Sequence, residues 1–278
     1  MAIQQQTTGL ERQQNRLLLG LPANDHVRWL LHLESVELQC DQLLCESTTE
    51  YLYFPTSAIV SLLYVTEGGE STEIAVIGND GAVGMSIFMN GNTQPIQAKV
   101  QSAGHAYRVR GHVVRDEARR GGPMLDILSR HAQAMNAQVA QTAVCNRHHS
   151  IDQQLCRRLL IGLDRSRSDE LVMSHQLAAS LLGVRRESVT VAARRLQDAG
   201  IIRYSRGHIA VLDRQQLEKR ACECYAALQR EYDRLLPRRL PPATPNASTR
   251  PVPCGSPETH ATVTRRSLRD PSLLFCRI

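Results

Sequence analysis

SHQLAASLLGVRRESVTVAARRLQDAGIIRYSRGHI, residues 174–209, is the stretch whose reading decides the fold. It divides into two short helices, a tight turn between them and a β-hairpin after them. Ser174 suits an N-cap, because its hydroxyl can accept from the free N–H groups of a first helical turn. Leu177, Ala178, Leu181 and Leu182 then repeat at helical spacing and bury one face. Ala179 is small enough for a second helix to come close. Gly183 stops the first helix, since glycine enters the left-handed conformation at little steric cost. The second helix is expected over about 186–199, with Val189, Ala192, Ala193 and Leu196 inward and Gly200 as its stop.

The opposite face of that helix carries Arg185, Arg186, Glu187, Ser188, Thr190, Arg194 and Arg195. These types contact phosphates and base edges: arginine pairs bidentately with guanine, and glutamate accepts from cytosine N4. A helix-turn-helix puts the start of its second helix into the major groove, so Arg186, Glu187 and Thr190 are placed to read bases. The hairpin Ile201–Leu212 turns at Ser205-Arg206-Gly207 and reads as a wing over the DNA backbone, which adds Arg206 to the candidate DNA-binding set. The plainer alternative is a helical hairpin with a solvated charged face. A small residue four before the turn glycine and a valine six after it favour the DNA reading.

Gly183-Val184-Arg185-Arg186-Glu187-Ser188-Val189 resembles the recognition element of the Crp/Fnr family of bacterial transcription regulators, whose pattern is a glycine, two residues, then Arg-Glu-Ser/Thr-Val. The resemblance implies that Arg186 and Glu187 are the base-reading pair and Ser188 a backbone contact. It also implies a homodimer on double-stranded DNA, with RNA polymerase as a further partner. One position departs from the pattern: Arg185 stands where the family often has a capping serine. Arginine cannot cap, which leaves the helix start to be held by a phosphate contact.

A chain of 278 residues suggests two domains, and 42% hydrophobic residues suffice for packed cores. No run approaches the roughly 18 apolar residues of a membrane span. The start, MAIQQQTTGLERQQ, is polar and has no signal-peptide core, so the expected location is cytoplasmic. Net charge is +6 but unevenly spread: residues 1–150 carry −3, residues 151–213 carry +3 and residues 237–278 carry +5. The pI near 9 therefore owes much to the tail. The eight cysteines are scattered without zinc-type paired spacing and are expected to be reduced thiols.

Residues 1–14 read as a loose arm. Residues 15–33 read as short helices, with Pro22 in a first turn and Val27, Leu30 and Leu31 as a stripe. From Glu34 to Val109 the period changes to that of strands, expected at Val36–Cys40, Tyr51–Phe54, Ile59–Val65, Thr72–Ile77, Ile96–Gln101 and Ala106–Val109. Many short strands at regular spacing argue for a sandwich or jelly roll. This layout resembles the β-roll sensor domain of the same family.

Relatives that bind cyclic nucleotides resemble one another at a cassette with a Gly-Glu pair and a following Arg-Ser or Arg-Thr. Here Met85 follows Gly84, and no arginine or lysine lies between Arg28 and Lys99. A cyclic nucleotide is therefore not expected, and a cyclic-nucleotide-gated activator is the alternative reading. An iron–sulfur cluster usually takes four thiolates, and the front of the chain offers only Cys40 and Cys45. A metal-dependent jelly-roll enzyme needs converging histidines, and His105 alone lies between Glu34 and Tyr107. No enzymatic activity, cofactor or metal is expected.

Residues 123–147 read as one long helix with Pro123 near its start. Leu125, Leu128, Ala132, Met135, Val139 and Thr142 make a heptad-like seam, with Ala134, Ala137, Ala140 and Ala143 keeping its flanks small. Such a seam usually packs against its symmetry mate; the alternatives are packing on the β-roll alone and pairing with another protein without DNA. Cys145, His148 and His149 read as a hinge rather than a metal site. Ser150-Ile151-Asp152-Gln153 is a capping box opening a helix with Ile151, Leu155, Leu159 and Leu163 inward. Asp213 is expected to cap a helix from Arg214 to Leu235. Two residues apart on that helix, Cys222 and Cys224 would point about 200° apart, unable to chelate, and read as apolar filler. The last 42 residues hold eight of the twelve prolines, a composition of disorder.

The expected fold is α+β. Residues 15–122 form a β-roll, 123–149 a dimerisation helix, 150–236 a winged helix-turn-helix with a trailing helix, and 237–278 a tail.

Overall fold

In a computed structural model, residues 15–45, 50–87, 96–166, 170–205 and 207–236 are described. Residues 1–14 and 237–278 and Arg206 lie outside them. Two antiparallel sheets form the front. The first has the order β1-β7-β3, from Glu34–Leu38 (β1), Gly104–Arg110 (β7) and Tyr51–Pro55 (β3). The second has the order β2-β6-β4-β5, from Leu43–Cys45 (β2), Ile96–Ser102 (β6), Ile59–Val65 (β4) and Ser71–Ile77 (β5). Leu38, Tyr53 and Ala106 of the first sheet share one apolar cluster with Val60, Leu62, Ala75, Ile77, Ala98 and Val100 of the second. Alternating strand residues thus meet between two sheets, as the spacing of short strands predicts.

The N-terminal helices Arg16–Leu19 (α1) and Ala23–Leu30 (α2) correct one expectation. Val27, Leu30 and Leu31 are 63%, 47% and 82% exposed, whereas Leu17, Leu18, Leu21 and Trp29 are buried. Trp29 takes the inward position, edge-on to Phe54 at 6.2 Å, and turns the expected stripe outward. Pro22 precedes α2 rather than entering its first turn. A further helix, Gly111–Arg120 (α3), was not among the expected elements; it is mostly polar, and only Val114 among its apolar residues is buried.

The long helix spans Pro123–His148 (α4). Its seam is divided: Leu128 is buried in its own chain, while Leu125, Ala132, Met135, Val139 and Thr142 are half-buried. Met135 and Val139 partly pack on the roll. The next helix, Ile151–Arg165 (α5), opens with the expected capping box: Ser150 N–H donates to Gln153 Oε1 at 3.0 Å and Gln153 N–H to Ser150 Oγ at 3.4 Å.

One side of α5 supplies Leu155, Leu159, Leu160 and Leu163 to the core beneath the helix-turn-helix. The other side is anchored to the roll by two buried arginines. Arg158 pairs with Glu73 of β5 through Nε–Oε1 at 2.5 Å and Nη2–Oε2 at 3.0 Å, and it also donates to Gln101. Arg165 pairs with Asp80 at 2.8 Å and donates to Val76 O and Gln138 Oε1. A buried charge is tolerated only when paired and hydrogen-bonded, and both arginines are.

After the wing, Asp213 caps Arg214–Arg220 (α8), accepting from Gln216 N–H at 3.0 Å. The single helix expected to Leu235 is broken. Ala221 and Cys222 are extended, with ψ of 157° and 163°, before Glu223–Leu235 (α9) begins. Cys222 is therefore not on the same helix as Cys224, and the 200° argument against their convergence does not apply. Among the described residues, no helix is long and apolar enough to cross a membrane.

Candidate nucleic-acid interface

His175–Leu182 (α6) begins where Ser174 Oγ accepts from Leu177 N–H at 3.0 Å. It ends at Gly183, whose φ of +65° is left-handed. Val184 N–H then closes onto Ala179 O at 3.0 Å. Gly183 is held by a second constraint: a Cβ there would lie 3.1 Å from Thr72 Oγ1 of β5. The second helix is Arg186–Asp198 (α7), with Val189, Ala192, Ala193 and Leu196 buried.

Arg185, Arg186, Glu187, Thr190 and Arg194 are exposed, and Ser188 is half-buried. Arg185 occupies the N-cap position and makes no side-chain cap bond. Among the described residues no carboxylate pairs with Arg185 or Arg186, whereas Arg194 lies 3.8 Å from Asp198. The free N–H groups of a helix start favour anions, and here two guanidinium groups stand beside them. Arg195 turns away to Asp152 at 3.1 Å and ties α7 to α5.

Thr190 is less free than its exposure suggests. Its hydroxyl donates to Arg186 O at 3.0 Å and lies 3.1 Å from His175 Nδ1. The His175 ring stacks on Tyr204 at 4.1 Å, with 18° between the planes. Burial, and then the charge of Arg186, lowers the pKa of His175 from its ordinary value. These two rings join the first helix, the recognition helix and the wing. They are 29 positions apart in the chain, and no periodicity links them.

The wing pairs Ile202–Ser205 (β9) with His208–Val211 (β10), and Glu170–Val172 (β8) adds a third strand to β10. Tyr204 N–H donates to Gln197 Oε1 at 3.0 Å, fixing the wing to α7.

At the cassette-like stretch of the roll, Met85 is buried in a short 3-10 turn, and positions 88–95 lie outside the described residues. Arg158 and Arg165 reach the roll from α5, but Glu73 and Asp80 already engage them. His131 of α4 is fully buried and accepts from Ala82 N–H at 3.0 Å.

A second group of chemistry-bearing side chains meets where α4, α5 and α9 converge. Cys145, His149, Cys222 and Cys224 each offer one ligand atom, and these atoms lie within 4.8 Å of one another. Within the cluster the hydrogen bond shared with Cys145 holds the Cys222 thiol below its ordinary value, while Cys145 and Cys224 are pushed up. His148 points to solvent. The available signal was the spacing of four between Cys145 and His149, about one turn apart where the long helix ends.

Residues 153–220 match the family model of Crp-like helix-turn-helix domains. The fold is similar to that of a regulator assigned to the Crp/Fnr family in Eubacterium rectale, with TM-score 0.58 and 16% identity, covering 72% of this chain and 94% of that one. It is also similar to FixK2 from Bradyrhizobium japonicum, with TM-score 0.57 and 16% identity over 68% of this chain and 98% of that one. A Crp/Fnr-family transcriptional regulator from Thermus thermophilus gives TM-score 0.55 and 18% identity over 68% and 98%. At these identities the likeness is one of fold. No curated protein sequence matches the chain.

Proposed function

We propose that this chain, which folds as Crp/Fnr transcription regulators do and carries a Crp-like helix-turn-helix domain, is a homodimeric, sequence-specific DNA-binding regulator. The observation that carries this reading is the pair Arg185 and Arg186, exposed at the open start of α7 without a carboxylate among the described residues. In this reading α7 enters the major groove. Arg186 and Glu187 read base edges, with Thr190 next along the helix. Arg185, Ser188, Arg194 and the wing's Arg206 meet the phosphate backbone.

The division into a roll at 15–122, a dimerisation helix at 123–149, a DNA-binding part at 150–236 and a tail at 237–278 belongs to the same proposal. So do cytoplasmic location, contact with RNA polymerase and the absence of catalysis. Support for the dimer comes from α4. Leu125, Ala132, Val139 and Thr142 stay half-covered by their own chain, and Ala140, Ala143 and Val144 beside them are exposed. A second copy along this strip would set two α7 helices on a two-fold operator about one turn apart.

Selection of bound duplexes from a random pool by the full-length chain tests the reading. The expected result is a two-fold-symmetric site bound far more tightly than random duplex, with steep salt dependence. Equal affinity for every duplex, or a monomer at the concentrations that bind, would overturn it.

A further inference from the structure

We propose that Cys145, His149, Cys222 and Cys224 are the ligands of a tetrahedral, zinc-type metal site that ties the long helix α4 to the start of α9. Four donors of the Cys3His kind arrive from two segments: the last turn of α4 with the residue after it, and the extended joint at Cys222 with the first turn of α9. Zinc binds thiolate at about 2.3 Å and imidazole nitrogen at about 2.0–2.1 Å. A regular tetrahedron of those radii has sulfur–sulfur edges of about 3.8 Å and sulfur–nitrogen edges of about 3.6 Å. Cys145 Sγ lies 3.6 Å from Cys222 Sγ, and Cys224 Sγ lies 3.4 Å from His149 Nδ1. Two edges of the polyhedron are thus already near their bound lengths.

The outer contacts point the same way. His149 Nε2 lies 3.2 Å from Glu223 Oε1, which leaves Nδ1 facing the sulfurs. A carboxylate behind a ligating imidazole is a recurrent means of fixing its orientation and tautomer. Gln141 Nε2 lies 2.9 Å from Cys224 Sγ and donates to it, which orients that sulfur. The three cysteines are buried and His149 is half-buried, which suits a closed structural site.

Apolar filler explains this group poorly. Cys156 is filler: it is buried among Leu155, Leu159, Leu160 and other apolar side chains in the core under the helix-turn-helix. Cys145, Cys222 and Cys224 instead form a buried cluster of their own, sulfur against sulfur. Sulfur-rich tetrahedral donor sets select zinc over the oxygen-seeking cations. Binding would transfer the thiol protons to solvent, so zinc uptake acidifies the medium.

The full-length chain, purified under reducing conditions without chelator, provides the test. Elemental analysis is expected to find about one zinc per chain. Cobalt(II) added to zinc-stripped protein should give the intense visible bands of a tetrahedral thiolate site and a thiolate-to-metal charge-transfer band. C222S and C224S should lose the metal, and His149→Ala should weaken its retention. His148→Ala, which alters only the exposed neighbour, should keep it. The wild-type cobalt spectrum needs no variant to fold. Failure to take up zinc or cobalt with all thiols reduced, a weak octahedral cobalt spectrum, full metal content in C222S, or loss of metal in His148→Ala would each overturn the assignment.

Discussion

Two sets of arginines sit on neighbouring helices and do opposite work. Arg158 and Arg165 of α5 are buried, with side chains 3% and 4% exposed, and each is bound to a carboxylate of the roll. Arg185 and Arg186 at the start of α7 stand in solvent with no carboxylate partner among the described residues. The residue type is the same and the stretch of chain is short. What separates the sets is a partner in the roll, Glu73 in one case and Asp80 in the other, each 85 positions upstream. A buried arginine with its acid holds two parts of one chain together. An exposed arginine at a helix start offers its donors to an anion from outside.

The sharpest way to break this contrast is Arg158→Ala. It strands Glu73 in a buried place and should destabilise the chain by about 3–5 kcal/mol in urea denaturation. Replacing Arg158 and Glu73 together by methionine should recover most of that loss. A loss below about 1 kcal/mol for the single change would put the pair in the class of exposed bridges. Arg186→Ala should do the reverse: stability unchanged, but about 1–3 kcal/mol of discrimination lost at one base pair, measured by competition between matched and mismatched duplexes. Arg194→Ala should weaken binding evenly across sequences and reduce the slope of log affinity against log salt by about 1. The smallest effect belongs to Arg195→Ala. Its exposed bridge to Asp152 should be worth no more than about 1 kcal/mol of stability, with sequence preference intact.

The same division accounts for what the sequence disclosed. Signals confined to a few neighbouring residues were legible: the Ser174 cap, the Gly183 turn, the Ser150–Gln153 box and the strand Ile59–Val65. Each rests on backbone preferences that neighbours decide among themselves. Features set by distant partners were not. Val27 and Leu30 have helical spacing, yet Trp29 beside them found Phe54 and took the inward place. The bend at Ala221 and Cys222 contains neither glycine nor proline, so nothing local announced it. Missing that bend concealed the meeting of Cys222 and Cys224 with Cys145, 77 positions upstream of Cys222. Among the candidate DNA contacts, exposure followed from helical phase. The engagement of Thr190 by His175 did not, because it joins two helices.

The place of Gly183 beside Thr72 fixes how closely the sheet and the turn can fit. Thr72 lies on a hydrogen-bonded strand of the roll, and Gly183 is three residues before the first turn of α7. A side chain at position 183 would meet Thr72 Oγ1 at 3.1 Å, so the turn before α7 has room for hydrogen alone beside β5. A larger residue at 183 would have to force β5 and the start of α7 apart, besides taking a left-handed φ.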